Sequence, residues 1–291
     1  MSTMSKHPCI HHLIVLRSPS PRPDYNLFSW FAILPDGYIH WDFLSIFSSK
    51  VEQTFPGRLP MSCCHSTGAR QQRNLLYQFN LVAGGQQLFD INTYDDYQSD
   101  VQRPFDDLLE YSQPELEHEW SDGGSDWTPT WDVSGNKFEG FQWAIFLHNV
   151  FRKNEEGWFN WWCTWSSPDA PLIVVNGTDY QVAARLWAMS GYFRFARPGA
   201  VRIYSSNDVE EVYVTAWENA NGTLAIPVIN AAHYPYTINV NLAGSPVNHA
   251  VAYLTDNSHN GTATDRFSFE GGRFSAQVEP RSMKTYFLSH V

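Results

Sequence analysis

Basic side chains are scarce in this sequence: 19 lysines and arginines stand against 30 aspartates and glutamates, a net charge of −11 over 291 residues. Binding a polyanion requires clustered Lys and Arg to neutralise phosphate, so nucleic acid is not an expected partner. Cysteine is scarce too. Cys9, Cys63, Cys64 and Cys163 show no metal-ligand spacing, and adjacent Cys63 and Cys64 are poorly placed to bond each other. No metal, no cofactor and no disulfide framework is expected. Long apolar runs are missing, so no membrane span is expected. The N-terminus has Lys6 and a short apolar run from His12 to Leu16, but Arg17 and several prolines interrupt it and no small-residue cleavage site follows; it does not read as a secretory signal. Internal repeats and low-complexity tracts are also absent. What remains, 43% hydrophobic and 17% charged residues, can bury a full core in one large domain or two.

Aromatics, by contrast, are abundant, with 12 Trp and 14 Tyr. Their flat apolar faces and polar edges suit sugars. Asn-Gly-Thr occurs at Asn176, Asn221 and Asn260, each in a turn-like setting able to accept a glycan in a secreted protein.

Along the chain, residues 1–37 read as irregular, since SPSPRPDYN carries three prolines and no periodicity. A helix is expected from Trp41 to Val51, a strand from Leu59 to Cys64, a helix from Arg70 to Val82, and strands at Leu88 to Tyr94 and Pro114 to Trp120. The spacing of Trp143, Phe146, Leu147 and Val150 predicts a helix over Glu139 to Lys153, with basic residues in its last turn as the dipole favours. Trp158 to Trp165 reads as a strand. Asp179 to Phe195 reads as a helix with Val182, Leu186, Met189 and Phe193 on one stripe. Four strand-then-helix units in series imply parallel strands with crossover helices, an α/β arrangement amounting to half of a (β/α)8 barrel. From about residue 199 the period becomes two: Glu211 to Asn219, Leu224 to Asn230, Tyr236 to Ala243, and Phe274, Ala276 and Val278 read as an antiparallel β-sandwich.

The stretch LEHEWSDGGSDW, from Leu116 to Trp127, carries the candidate chemistry. His118 and Glu119 resemble a broken zinc motif, but that motif needs a helix and the local sequence reads as a strand. Period two then puts Glu115, Glu117 and Glu119 on one face and His118 on the other. Glu119 falls at the strand's C-terminal end, where a parallel barrel builds its active site.

The segments LEHEWSDGGSDWTPTW, EGFQWAIFLHNVF, WFNWWCTW, YQVAARLWAMSGYFRFARPGAVRI and EPRSMKTYFL, in this order and spacing, resemble the second half of glycoside hydrolase family 30. MSCCHSTG and LFDINTYDDY look like that family's fifth and sixth barrel strands. The match runs from about residue 38 to the C-terminus. ARPGAVRI and TPTWDVSG are most similar to fungal xylan-cleaving members, with endo-β-1,6-galactanase-like and glucosylceramidase-like branches also open. The resemblance implies a (β/α)8 barrel at 38–198 joined to a β-sandwich at 199–291. It also implies a secreted, monomeric retaining hydrolase of β-linked polysaccharide, most simply xylan. Glu119 matches the nucleophile, and Tyr97, Trp120 and Trp162 match sugar-contacting positions.

One departure matters. The family places its acid/base glutamate in an Asn-Glu-Pro motif before the fifth strand, whereas the first glutamate here is Glu52. The first half of the barrel is therefore expected to be absent. General acid catalysis is typically worth about 10² to 10⁴ in rate, so little activity is expected of the chain as written. A catalytically inactive carbohydrate-binding remnant is the alternative.

Overall fold

The computed structural model describes residues 127–152, 163–168, 171–242 and 244–290. It also describes strand residues 15–17, 62–66, 91–94, 115–120 and 157–160, and helical residues at 45, 46, 49, 50, 53, 54 and 77. The chain divides into two compact units. One comprises Met1–Gln98, Asp106–Trp120 and Glu155–Phe159; the other comprises Ser99–Phe105, Ser121–Asn154 and Asn160–Val291.

The first unit carries a five-stranded sheet in the order β1 (Val15–Arg17), β2 (Ser62–Ser66), β3 (Ile91–Tyr94), β4 (Glu115–Trp120) and β5 (Gly157–Asn160). The ladders β1–β2, β2–β3 and β3–β4 are all parallel. Sequence order equals spatial order, as expected when each strand returns through a crossover connection. Two expectations need correction. Val15–Arg17 is a strand inside the stretch read as irregular: its β-branched and apolar residues suffice for a short edge strand ahead of the proline-rich SPSPRP run. Second, the expected strand at Leu59 to Cys64 lies further along, at Ser62–Ser66, because the proline at position 60 disfavours pairing at the start of that run.

In the second unit, α1 (Gly140–Arg152) lies within one residue of expectation at each end. Trp143, Phe146, Leu147 and Val150 are all buried, so the 3.6-residue period reported the packing correctly. Its approach is shaped by Glu139, itself buried. The Glu139 carboxylate accepts bonds from the Thr130 hydroxyl and from the N–H groups of Val133, Ser134 and Asn136. Burial alone raises the pKa of this carboxyl, but these donors outweigh it and leave the pKa lowered. The loop carbonyls of Thr130 and Trp131 then satisfy the first free helical N–H groups, those of Gly140 and Phe141. Gly140 is obligatory for this contact. A Cβ there would lie 2.6 Å from Trp131 Cε3 and 2.8 Å from the Ala184 carbonyl. Gly140→Ala is expected to destabilise by about 1–3 kcal/mol through overpacking against backbone, read as a lower urea midpoint; an unchanged midpoint would show that the loop yields.

The next segment departs most from expectation. Trp158 to Trp165 is not one strand but two in different sheets, β5 and β6 (Thr164–Trp165). Asp179 to Phe195 is not one helix. Its first four residues form β8 (Asp179–Val182), antiparallel to β7 (Ile173–Asn176), and only Ala184–Phe193 is helical, as α2. The turn explains this. Asn176 pairs with Asp179 across Gly177 and Thr178, and Gly177 has φ +62°, the positive value that a two-residue hairpin requires at its first central position. The buried face of α2 is Ala184, Arg185, Ala188, Met189, Gly191 and Tyr192; the expected stripe fails because Val182 belongs to the strand.

The β-sandwich contains a seven-stranded sheet. Its order is β15 (Asn260–Ser268), β14 (His249–Thr255), β17 (Ser282–Ser289), β12 (Leu224–Asn230), β11 (Ala216–Glu218) and β9 (Val201–Ile203), with β10 (Val212–Val214) also pairing β12. A two-stranded sheet, β13 (Tyr236–Asn241) with β16 (Arg273–Val278), accompanies it. Strands β10 and β11 read as one strand because they are in one register: Val214 pairs with Val228 and Trp217 with Ala225. Between them the Thr215 N–H bonds the Pro227 carbonyl, but proline has no N–H to return, and the ladder breaks there. One face of the large sheet encloses a core of Val212, Leu224, Ile226, Val228, Phe274, Tyr286 and Leu288. The other receives the helices: Phe151 and Tyr192 both meet Trp217 edge-on, and the Thr285 hydroxyl bonds the Gly191 carbonyl at 2.8 Å. Burial on both faces accounts for the apolar run LAIPVI in β12, every residue of which is buried.

Candidate active site

Strand β4 places the candidate nucleophile. Its sequence ELEHEW alternates acidic residues with Leu116, His118 and Trp120, the period of a strand rather than a helix. In the ladder to β3, Asn92 pairs with Glu115, and Tyr94, the last residue of β3, pairs with Glu117. Glu119 therefore lies two positions beyond the end of β3, and Trp120 closes the strand. Parallel ladders put the carboxyl ends of β1 to β4 on the same edge of the sheet, and β4 has neighbours on both sides. The crevice outside such an edge is where α/β sheets bind ligands. The side chains of Glu119 and Trp120 lie outside the described residues, as do Tyr97, which follows β3, and Trp162, which follows β5.

Downstream of that edge, the loop from Thr128 to Glu139 is held from both sides. The buried Glu139 carboxylate gathers its N–H groups, and Arg281 grips Asp132 through two bonds of 2.8 Å. Asn257 exchanges two more bonds with the Asp132 backbone, at 3.0 and 2.7 Å. The three-stranded sheet β6–β7–β8, which the sequence reading missed, carries Trp165 about half exposed. The signal was available: Asn176-Gly177 between apolar runs is a hairpin sequence. Asn176, Asn221 and Asn260 are all exposed. Asn176 flanks the hairpin turn, Asn221 lies in the turn between β11 and β12, and Asn260 opens β15.

A parallel sheet with a carboxylate at its carboxyl edge, followed by an antiparallel sandwich, is an arrangement that can be compared with known proteins. The family description "Glycosyl hydrolase family 30 beta sandwich domain" matches residues 199–286. Over that stretch the chain is similar to the family 30 sandwich. Over 88% of its length the chain superposes on the catalytic domain of the GH30 xylanase C from Talaromyces cellulolyticus, with a TM-score of 0.77 and 25% identity. A GH30 endoxylanase from Clostridium papyrosolvens matches over 92% of the chain, with a TM-score of 0.72 and 17% identity. The family 30 subfamily 8 xylanase from Clostridium acetobutylicum matches over 89%, with a TM-score of 0.69 and 18% identity. The latter two likenesses concern the fold. The chain spans 58%, 63% and 62% of these three structures respectively. The fold is thus like that of these family 30 enzymes, here seen as a partial α/β sheet followed by an antiparallel β-sandwich. The family and these structural neighbours are glycoside hydrolases. Among the described residues, no helix is long and apolar enough to cross a membrane.

Proposed function

We propose that this chain carries the nucleophile of a retaining glycoside hydrolase acting on a β-linked cell-wall polysaccharide, xylan foremost. The observation that carries the reading is the place of Glu119, beyond the end of β3 on the carboxyl edge of a parallel sheet. The xylanase neighbours support the choice of sugar. In the first step a Glu119 oxygen bonds to the anomeric carbon, the glycosidic C–O bond breaks, and the leaving oxygen takes a proton from a second carboxylic acid. In the second step water replaces Glu119 and gives up a proton to that same group. Tyr97, Trp120 and Trp162 contact the sugar. The enzyme works outside the cell, with Asn176, Asn221 and Asn260 as glycan acceptors.

The sequence contains no Asn-Glu-Pro, so the test must not depend on the acid. A dinitrophenolate leaving group departs without protonation, and the ester then accumulates for want of a base. Incubation with 2,4-dinitrophenyl β-xylobioside, followed by peptide mass spectrometry, is expected to locate one glycosyl adduct on Glu119. The adduct should be absent from Glu119→Gln. An adduct elsewhere, or none with xylo-, galacto- or gluco-configured reagents, would sink the assignment. The missing motif also favours a second reading, a binding protein that does not hydrolyse. That reading expects retention on insoluble xylan that survives Glu119→Gln and weakens in Trp162→Ala, with no adduct.

A further inference from the structure

A surface cluster in the second compact unit has no part in the strand-end chemistry. Glu211 precedes β10, Tyr234 lies between β12 and β13, and Tyr236 opens β13. Both tyrosine hydroxyls donate to the same carboxylate oxygen, Glu211 Oε2, at 2.7 Å from Tyr234 and 2.9 Å from Tyr236. The two hydroxyl oxygens are 2.9 Å apart, and the ring centroids are 5.1 Å apart with planes inclined at 55°.

Hydrogen counting shows what the cluster offers. Each phenol has one proton, and when both point at Glu211 the hydroxyl oxygens and the carboxylate present their remaining lone pairs outward. The result is a group of acceptor oxygens beside Tyr234, a residue that is 51% exposed. Its frame is fixed by the backbone: the Ala231 N–H bonds the Glu211 carbonyl at 2.8 Å, and Asn230 Nδ2 bonds the Tyr234 carbonyl at 2.9 Å. The proline after Tyr234 restricts that residue to extended conformations. Tyr236 is partly buried against the sandwich core. A rigid tyrosine platform loses little entropy on binding. Its complement is a ligand bringing several hydroxyl donors together with an apolar C–H face, which describes a pyranose ring.

We infer that Tyr234, Tyr236 and Glu211 form a carbohydrate-contact site on the β-sandwich that takes a sugar ring of the same polysaccharide as the strand-end site. This inference rests on the polysaccharide reading given above. The test is retention of the full chain on insoluble xylan, with affinity for soluble xylohexaose measured by titration calorimetry. Tyr234→Ala and Glu211→Ala are each expected to weaken binding by at least fivefold, and Tyr234→Phe to fall between them and the parent. All variants should melt within a few degrees of the parent. Undiminished binding in Tyr234→Ala and Glu211→Ala, with the parent still retained on xylan, overturns this site and leaves the polysaccharide reading standing. A parent that binds neither xylan, cellulose nor β-1,6-galactan overturns both. A tetramethylammonium titration that quenches the parent's tyrosine fluorescence but not that of Tyr234→Ala, with xylan binding unaffected by the substitution, reassigns the cluster to a cation and also overturns the proposal.

Discussion

Arg281→Ala is expected to destabilise the second compact unit by about 3–5 kcal/mol, the usual cost of breaking a largely buried ion pair from one side. The side chains of Arg281 and Asp132 are only 21% and 12% exposed, and the guanidinium meets both carboxylate oxygens at 2.8 Å in the two-pronged geometry that arginine alone provides. A further N–H reaches the Ala231 carbonyl at 3.2 Å, and the guanidinium lies 4.0 Å from the Phe141 ring centroid. The backbone of Arg281 is engaged as well: its carbonyl accepts from Trp131 Nε1, and its N–H donates to the Ala232 carbonyl. At φ +48° Arg281 is the one non-glycine residue in the left-handed region among the described residues. Such a conformation costs about 1 kcal/mol or more and persists only where surrounding contacts fix it. Arg281→Lys should recover little, because an ammonium makes one strong contact where the guanidinium makes two. In urea unfolding, the double variant Asp132→Ala/Arg281→Ala should lose less than the sum of the single losses. A loss below about 1 kcal/mol for Arg281→Ala would show that the pair behaves as an exposed one.

None of this latch was legible in the sequence, since its members are separated by up to 150 positions and meet only through the sandwich topology. Helix α1 was legible because four large apolar residues at helical spacing all face protein. The segment Asp179 to Val182 was misread for a related reason: Val182 precedes Leu186 by four residues, so a strand residue completed a false helical stripe. The Asn176-Gly177 turn was the discriminating signal. Strands β14, β15 and β17 were not foreseen as strands. β17 is buried on both faces over most of its length, which removes the alternation that reveals a half-exposed strand.

The candidate site divides along the same line. The period of ELEHEW and the glycines that follow it indicate that Glu119 lies at the C-terminal end of a strand, and the structure shows that strand as β4. Partners of Glu119 are a property of other strand ends, and periodicity carries no information about them. The Glu211–Tyr234–Tyr236 cluster was equally hidden. It forms because the antiparallel pairing of Val212 with Asn230 brings Glu211 beside the segment that follows β12.

Between pH 7 and pH 4 the protein is expected to lose about 3 kcal/mol of stability through His148 alone. The ring of His148 is 2% exposed on α1, lies against Tyr213 of β10 at 5.2 Å between centroids, and its buried Nδ1 has no hydrogen-bond partner among the described residues. Burial disfavours the imidazolium, and the charges of Arg152 and Arg202 disfavour it further, so the pKa falls from 6.5 to about 4. The folded protein thus binds this proton more weakly than the unfolded chain does. Stability from the neutral ring is complete above pH 6.5, declines as the pH falls below that value, and is fully lost below about 4. At 1.36 kcal/mol per pH unit, that interval sets the loss at about 3 kcal/mol. Carboxylates with lowered pKa, Glu139 and Asp265, add their own acid sensitivity. Their contributions are present above the unfolded carboxylate range and are lost only as the pH falls through and below it. The window from 6.5 down to about 4.5 therefore isolates the histidine. Urea midpoints measured across it should fall steeply for the parent and much less for His148→Gln, whatever the offset between them at pH 7. Parallel curves, or an imidazole NMR titration centred near 6.5, would show that His148 is solvated and that its protonated nitrogen has an acceptor.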